Sequence, residues 1–293
     1  MPSQGNSAGV MPMDVYLNGE FVEESRAAIA PTDRGFQFGD GLFETMRVSG
    51  GKILQWEAHR ERMQAGMAFL GMPPLPEMAR TAEVILELQQ RNGVVDGIAR
   101  IVLTRGRSEF GLSPSAVQDP TWLITLRSHV FPRTDDMQGI RAVVTRIPIY
   151  PPLVGFKTLN YLPGILARRC AETAGVEEGF LVDAAHHVCE ASSGNIFAVA
   201  RDRLITPGPG QALPGVTRRV ILQIAERGGW ETVEGSLSRE TLRDAEEIFL
   251  TSSIAGIRPV IGLDGNEVGT GKIGPVTRQL AREYQHFVEQ GGF

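Results

Sequence analysis

Along the first third of the chain, apolar and polar positions alternate in short runs. DVYLNGEFVEE alternates around Asn18-Gly19, a pair at ease in the positive-φ turn that joins two antiparallel strands, so a hairpin is predicted there. GLFETMRVSGGKILQW repeats the arrangement around Gly50-Gly51. WEAHRERMQAGMAFLGM then places Trp56, Met63, Met67 and Leu70 at helical spacing, and Pro76 opens a second helix through Leu88 that Gly93 stops. IARIVLTRG and TWLITLR are β-branched runs of strand length that can complete a sheet with the hairpins. These segments form one α+β unit.

After a polar stretch with Pro and Gly, the pattern changes to an alternation of strands and helices. Strands are predicted near 140–146, 178–182, 186–190, 195–199, 230–234, 247–251 and 257–261, with helices over 160–174, from Gly215 and from Pro275. The domain organisation read from this is a flexible tail over 1–12, a small α+β domain over 13–129, a linker over 130–139 and a larger mixed α/β domain over 140–293.

Composition narrows the function classes. Of the 293 residues 42% are hydrophobic and 22% charged, and no run approaches the ~18 apolar residues of a membrane span. The N-terminal segment lacks the basic and apolar regions of a secretory signal, so a cytoplasmic protein is expected. A net charge of −5 without a basic cluster argues against nucleic acid. Cys170 and Cys189 have neither disulfide-framework nor zinc spacing and read as buried thiols, and the five histidines never fall at metal-ligand spacing, so no metal is expected. GTGKIG (269–274) fits a dinucleotide fingerprint by letters alone; it lacks the βαβ unit and reads as a loop.

Only three of the 29 basic residues are lysines, Lys52, Lys157 and Lys272. Lys52 and Lys272 stand in turns. Lys157 stands in PLVGFKTLNYLPGILA with no carboxylate near it in sequence, where desolvation would lower its pKa and make it nucleophilic. CEASSGNIFAV presents Glu190 in a strand–turn–strand unit. LPGVTRRVIL opens a helix with free N–H groups at Val216 and Thr217, suited to a phosphate, and FLTSSIAGIRPV ends a strand on Ser252 and Ser253. A lysine for an imine, an acid for a ring nitrogen and a phosphate cup together describe a pyridoxal 5'-phosphate site.

The order and wording of DRGFQFGDGLFETMRV, HRERM, FKTLNYLPG, EASSGNIF, LPGVTR, LSRETLRDAEEIFLTSS and DGNEVGTGKIGPVTRQL resemble the class IV (fold type IV) pyridoxal-phosphate enzymes. These are the branched-chain and D-amino-acid aminotransferases and the aminodeoxychorismate lyases, and the resemblance runs from about Val15 to about Leu280. It implies a two-domain fold, with a small N-terminal α+β domain and a larger C-terminal mixed α/β, barrel-like domain. It also implies that Lys157 forms the imine (Schiff base) and serves as the base, that Arg62 holds phosphate, and that Glu190 pairs with the ring nitrogen. Tyr161 falls near the phenolic oxygen, one residue nearer the lysine than in the branched-chain enzymes. Val216, Thr217, Ser252 and Ser253 fall in the phosphate cup, and Ser193 and Asn195 in the turn beside the glutamate.

The resemblance implies transfer of an amino group between an amino acid (D-amino acid, branched-chain or hydrophobic) or amine and a 2-keto acid, in a homodimer whose partner subunit contributes a loop to each site. An aminodeoxychorismate-lyase-type reaction releasing pyruvate is the alternative. Where D-amino-acid aminotransferases hold the substrate carboxylate with Arg and His after the TRG segment and a Tyr from the early strand, this chain has Phe110, Leu112 and Phe43. Phe43 and Phe110 therefore read as an apolar substrate wall, with Arg47, Arg105 and Arg107 as the candidate carboxylate ligands.

Overall fold

The computed structural model describes residues 13–109, 111–114 and 119–292. Six antiparallel strands make the first sheet: β1 (Asp14–Leu17), β2 (Glu20–Glu23), β3 (Gly41–Ser49), β4 (Lys52–Ile53), β5 (Asp96–Thr104) and β6 (Trp122–Ser128), in the order β2-β1-β6-β5-β3-β4. Asn18 and Gly19 take φ of 50° and 102°, the positive values that fit a two-residue turn to the twist of β1 and β2. Because strand side chains alternate in direction, Leu42, Met46 and Val48 of β3 and Ala99, Ile101 and Leu103 of β5 share one face. That face is buried with Met63 and Met67 of α2 (Trp56–Phe69) and with Val84, Ile85 and Leu88 of α3 (Thr81–Arg91). Phe43 and Thr45 of β3 and Arg100 of β5 are left on the opposite face, which fronts the site.

The second sheet has nine strands: β7 (Ile140–Pro148), β8 (Glu178–Val182), β9 (Val188–Ala191), β10 (Asn195–Ala200), β11 (Arg203–Thr206), β12 (Glu231–Glu234), β13 (Glu247–Ser252), β14 (Gly256–Leu263) and β15 (Asn266–Glu267). Six of them, β10-β13-β14-β7-β8-β9, run round into a ring, because β9 also pairs with β10 through Glu190 and Asn195. The ring is mixed: β7 lies parallel to β8 and β14, and the other neighbours are antiparallel.

Ile196 and Ala198 of β10 join one buried cluster with Phe180 and Val144. Phe197 and Val199, pointing the other way, pack with Phe249 under α5 (Val216–Arg227) and α7 (Pro275–Glu289). Phe197 and Phe249 stack with centroids 4.9 Å apart. A further helix, α4 (Leu162–Thr173), lies against β7 and β8 so closely that a Cβ on Gly179 would meet the Ala167 carbonyl at 2.2 Å.

The predicted strands and long helices are present, with shifted ends. The segment from Pro76 is a single 3-10 turn to Arg80, and the α-helix begins at Thr81. The strand predicted from 186 begins at Val188, because Asp183 accepts the N–H groups of Ala185 and His187 and holds a turn through His186. Among the described residues, α1 (Arg34–Phe38), α6 (Arg239–Arg243), β11, β15 and several 3-10 turns were not anticipated. Cys170 corrects the reading of two buried thiols: it is exposed on α4, between the buried Ala167 and Ala171. Cys189 is buried, and burial pushes its thiol up to about 12. Among the described residues no helix is long and apolar enough to cross a membrane. The tail over 1–12 lies outside the described residues.

Candidate active site

Lys157 is gripped by the first sheet. Its carbonyl accepts the Phe43 N–H at 2.9 Å, and the next residue, Thr158, bridges to Leu42. Its Nζ donates to the Tyr161 hydroxyl at 3.0 Å and lies 4.3 Å over the Phe43 ring centroid, while the Phe43 and Tyr161 rings meet edge to face at 4.8 Å. Burial first, and the Arg62 guanidinium second, push the lysine from its ordinary 10.5 down to about 8. Burial pushes the Tyr161 phenol the other way, up beyond its usual range, so it stays protonated.

Glu190 stands near the end of β9 across the same space. Burial pushes its carboxyl up to about 7, against the opposing pull of the Leu213 N–H, which donates to it, and of Lys157 and Arg62. Asn195 pairs with Glu190 across the strands and donates its amide to the Leu213 carbonyl at 2.8 Å.

An anion cradle lies beyond these groups. The N-cap of α5 is Gly215, which supplies no side-chain cap, so the first N–H groups of the helix stay available. Ser252 and Ser253 stand in the turn from β13 to β14, where the Ser252 hydroxyl accepts the Ala255 N–H at 3.1 Å. Arg62 reaches in from α2. Its Nε and Nη2 each donate to Glu44 at 2.7 Å and its Nη1 to the Pro214 carbonyl at 3.0 Å. Glu44, 1% exposed, also bonds His59 Nδ1 at 2.7 Å. Burial would raise the Glu44 carboxyl, but Arg62 and His59 hold it down at about 2, and burial pushes His59 below its ordinary value. Arg62 is fixed against Glu44 by a fork-to-fork pair.

Phe43, Arg62, Lys157, Tyr161, Glu190, Ser193, Asn195, Val216, Thr217, Ser252 and Ser253 all line one cavity of about 470 Å3. Three of the arginines named from sequence do not reach it. Arg47 lies behind the cradle, stacked on Phe131 at 3.9 Å, with its Nε buried and without a partner. Arg105 is bound to Asp40 and the Leu70 carbonyl. Arg107 pairs with Asp119 at the surface. Burial would raise Asp40, yet Arg105 and Arg34 hold it below the usual carboxylate range, so Arg105 is committed there. Phe110 lies outside the described residues.

Sequence reading missed Arg100 and Thr45, which face each other across β5 and β3 on the cavity wall. Arg100 stacks on Phe43 at 4.1 Å and has no hydrogen bond or ion pair among the described residues. The signal was available: Arg100 alternates with buried Ala99 and Ile101, so it had to point toward Phe43 rather than into the core. Glu44 was missed as well, although a carboxylate on the apolar face of β3 needs a buried cation.

A lowered-pKa lysine, an opposed carboxylate and an anion cradle lie together where a strand of one sheet meets a closed ring of strands, a set of groups suited to a phosphate-bearing carbonyl cofactor. The chain matches the family described as amino-transferase class IV over residues 41–263, and it belongs to that family. It is 34% identical over 275 residues to a putative branched-chain-amino-acid aminotransferase of Methanocaldococcus jannaschii, covering 93% of this chain and 96% of the relative. It is 32% identical over 278 residues to the D-alanine aminotransferase of Staphylococcus aureus strain MSSA476, covering 94% and 98%.

Among solved structures it resembles the T.th. branched-chain amino acid aminotransferase with pyridoxamine 5'-phosphate, at a TM-score of 0.87 and 25% identity over 96% of this chain and 95% of the other. It also resembles a putative 4-amino-4-deoxychorismate lyase from Legionella pneumophila, at 0.81 and 26% over 90% and 96%. The fold is fold type IV, and the cofactor of the family is pyridoxal 5'-phosphate. The residues present fit that group. The cradle offers helix N–H donors, hydroxyls and Arg62 to a phosphate, and Gly215 stays bare where a Cβ would meet Asn195 Oδ1 at 1.9 Å.

Proposed function

We propose that this aminotransferase moves an amino group between an amino acid or amine and a 2-oxo acid, with Lys157 as the residue that forms the imine and transfers the proton. The observation that supports this most is the placing of the Lys157 amine. It is 3.0 Å from a phenol that burial keeps protonated, it is brought down to about 8, and it shares one cavity with Glu190 and the cradle.

Bound there, pyridoxal phosphate supplies an aldehyde that amines can capture and a ring that accepts the electron pair left when a Cα–H bond breaks. The Lys157 amine would be the base that takes the proton from the substrate Cα and gives it back two atoms along, beyond the amino nitrogen. Tyr161 holds the lysine from one side, and the Phe43 ring closes the other against water. Glu190 is the group for the ring nitrogen. Ser193 belongs to the turn beside it, and Arg62, Val216, Thr217, Ser252 and Ser253 are assigned to the phosphate.

For the substrate, Phe43 forms an apolar floor, in keeping with hydrophobic donors. Arg100 above it is a guanidinium on the cavity wall able to read a carboxylate. Amino transfer is favoured over a pyruvate-releasing lyase because the relatives at 32–34% identity over nearly the whole chain are named as aminotransferases; the lyase reading rests on the Legionella neighbour. A homodimer in the cytoplasm remains part of the reading.

The test is the absorbance of the purified protein titrated with D-alanine, L-leucine and an (R)-arylethylamine. Conversion of the cofactor band to the pyridoxamine form by one donor, reversed by a 2-oxo acid, is the expected result. A stable band untouched by donors, with pyruvate released from aminodeoxychorismate, would favour the lyase.

A further inference from the structure

We propose that Asn195 is a positioning residue for Glu190: by holding the carbonyl of Leu213 it aims the Leu213 N–H at the carboxylate and so fixes the direction in which Glu190 faces the cavity. The inference rests on the reading that Glu190 serves the cofactor ring, and it gives Asn195 a task other than touching the cofactor itself.

Four observations converge. Asn195 is 5% exposed, and its amide nitrogen donates to the Leu213 carbonyl at 2.8 Å. The N–H of that same leucine donates to Glu190. Asn195 and Glu190 are Cα partners where β10 meets β9, so the two side chains leave the backbone at one closure point of the strand ring. The amide oxygen of Asn195 faces Gly215, where an added Cβ would come within 1.9 Å of it, so a glycine at 215 leaves the room this side chain occupies while its nitrogen bonds Leu213.

The chain of constraint is short. Leu213 precedes Pro214, which confines it to extended backbone. With its carbonyl pinned by Asn195 and the next carbonyl, that of Pro214, held by Arg62 at 3.0 Å, only the φ of Leu213 sets where its N–H points. That N–H is the one hydrogen-bond donor given to Glu190 among the described residues. Lys157 and Arg62 act on the carboxylate through their charge. Removing the Asn195 donor frees the leucine, withdraws the N–H from the carboxylate and lets it turn.

The test uses Asn195→Leu, of similar size but unable to donate, with Asn195→Ala as a second uncharged variant that also lacks the donor. In the full-length apoprotein, the Glu190 carboxyl is followed by 13C NMR or difference infrared spectroscopy, with Glu190→Gln to assign the signal. In wild type the expected midpoint is about 7. Both variants should titrate about one pH unit higher, the tenfold change that loss of one hydrogen bond to a charged group implies. In the holoenzyme the pH midpoint of the visible band should move, whereas the affinity for pyridoxal phosphate should change far less.

An unchanged Glu190 titration in either folded variant overturns the proposal, as does a loss of cofactor affinity with the titration unmoved, which would mark Asn195 as a cofactor ligand or a purely structural residue. Because the apoprotein reading involves no reaction, its failure is distinguishable from failure of the aminotransferase assignment.

Discussion

The main-chain N–H of Phe43 donates to the carbonyl of Lys157 at 2.9 Å, and the ring of the same phenylalanine lies 4.3 Å beneath the lysine Nζ. One residue of β3 thus fixes the lysine backbone and covers its amine. The lysine of the second half of the chain is positioned by a strand of the first, and its chemistry depends on both.

The amine should titrate accordingly. Burial lowers Lys157 to about 8, so above that pH the folded protein carries it neutral while an unfolded chain keeps it protonated up to 10.5. The reactivity of Lys157 toward an amine-selective reagent in the apoprotein, followed by peptide mass spectrometry, should rise about tenfold per pH unit up to about 8 and then level. A midpoint near the ordinary lysine value would show that the cavity does not desolvate it.

Glu44 carries the opposite sign. Its folded value of about 2 lies below the ordinary 4.5, so its contribution to stability is present above pH 4.5 and is lost as the pH falls toward 2. Glu44→Gln leaves Arg62 without its carboxylate and should cost about 3–5 kcal/mol at neutral pH, with the deficit shrinking toward pH 3. Urea denaturation of the apoprotein at the two pH values measures both effects.

Arg100→Met should raise the KM for a dicarboxylic 2-oxo acid by about 10–100-fold while leaving that for pyruvate within about threefold, the size expected for one hydrogen-bonded charge. Equal changes for the two acceptors would mean that the guanidinium reads no distal carboxylate.

The packing between the strand ring and its outer helices depends on the stacked Phe197 and Phe249, both fully buried. Phe197→Ala should lower stability by about 3–5 kcal/mol. A thermal melt of the apoprotein reports it.

Much of this was legible in the chain because local chemistry and tertiary role coincide. Asn18-Gly19 marks a hairpin that needs positive φ, and the isolation of Lys157 from carboxylates in sequence anticipates its desolvation. What was not legible lacks a local signature. β11 is four residues, RLIT, after a turn at Arg201-Asp202 that uses no glycine, and it owes its strand to pairing with β10 and β12. α1 is too short for periodicity, although Asp33 caps it by accepting from Gly35 and Phe36. Arg105 and Arg107 looked like substrate ligands because an arginine in a loop carries no mark of its partner. In the fold Asp40, 65 residues before Arg105, and Asp119, 12 residues after Arg107, pair with them.

The most direct test of the account is to reduce the purified holoenzyme with borohydride and map the peptides by mass spectrometry. The account predicts a pyridoxyl group on Lys157 alone, absent from Lys157→Ala. A mark on Lys52 or Lys272, or none on a protein that holds the cofactor, would contradict it.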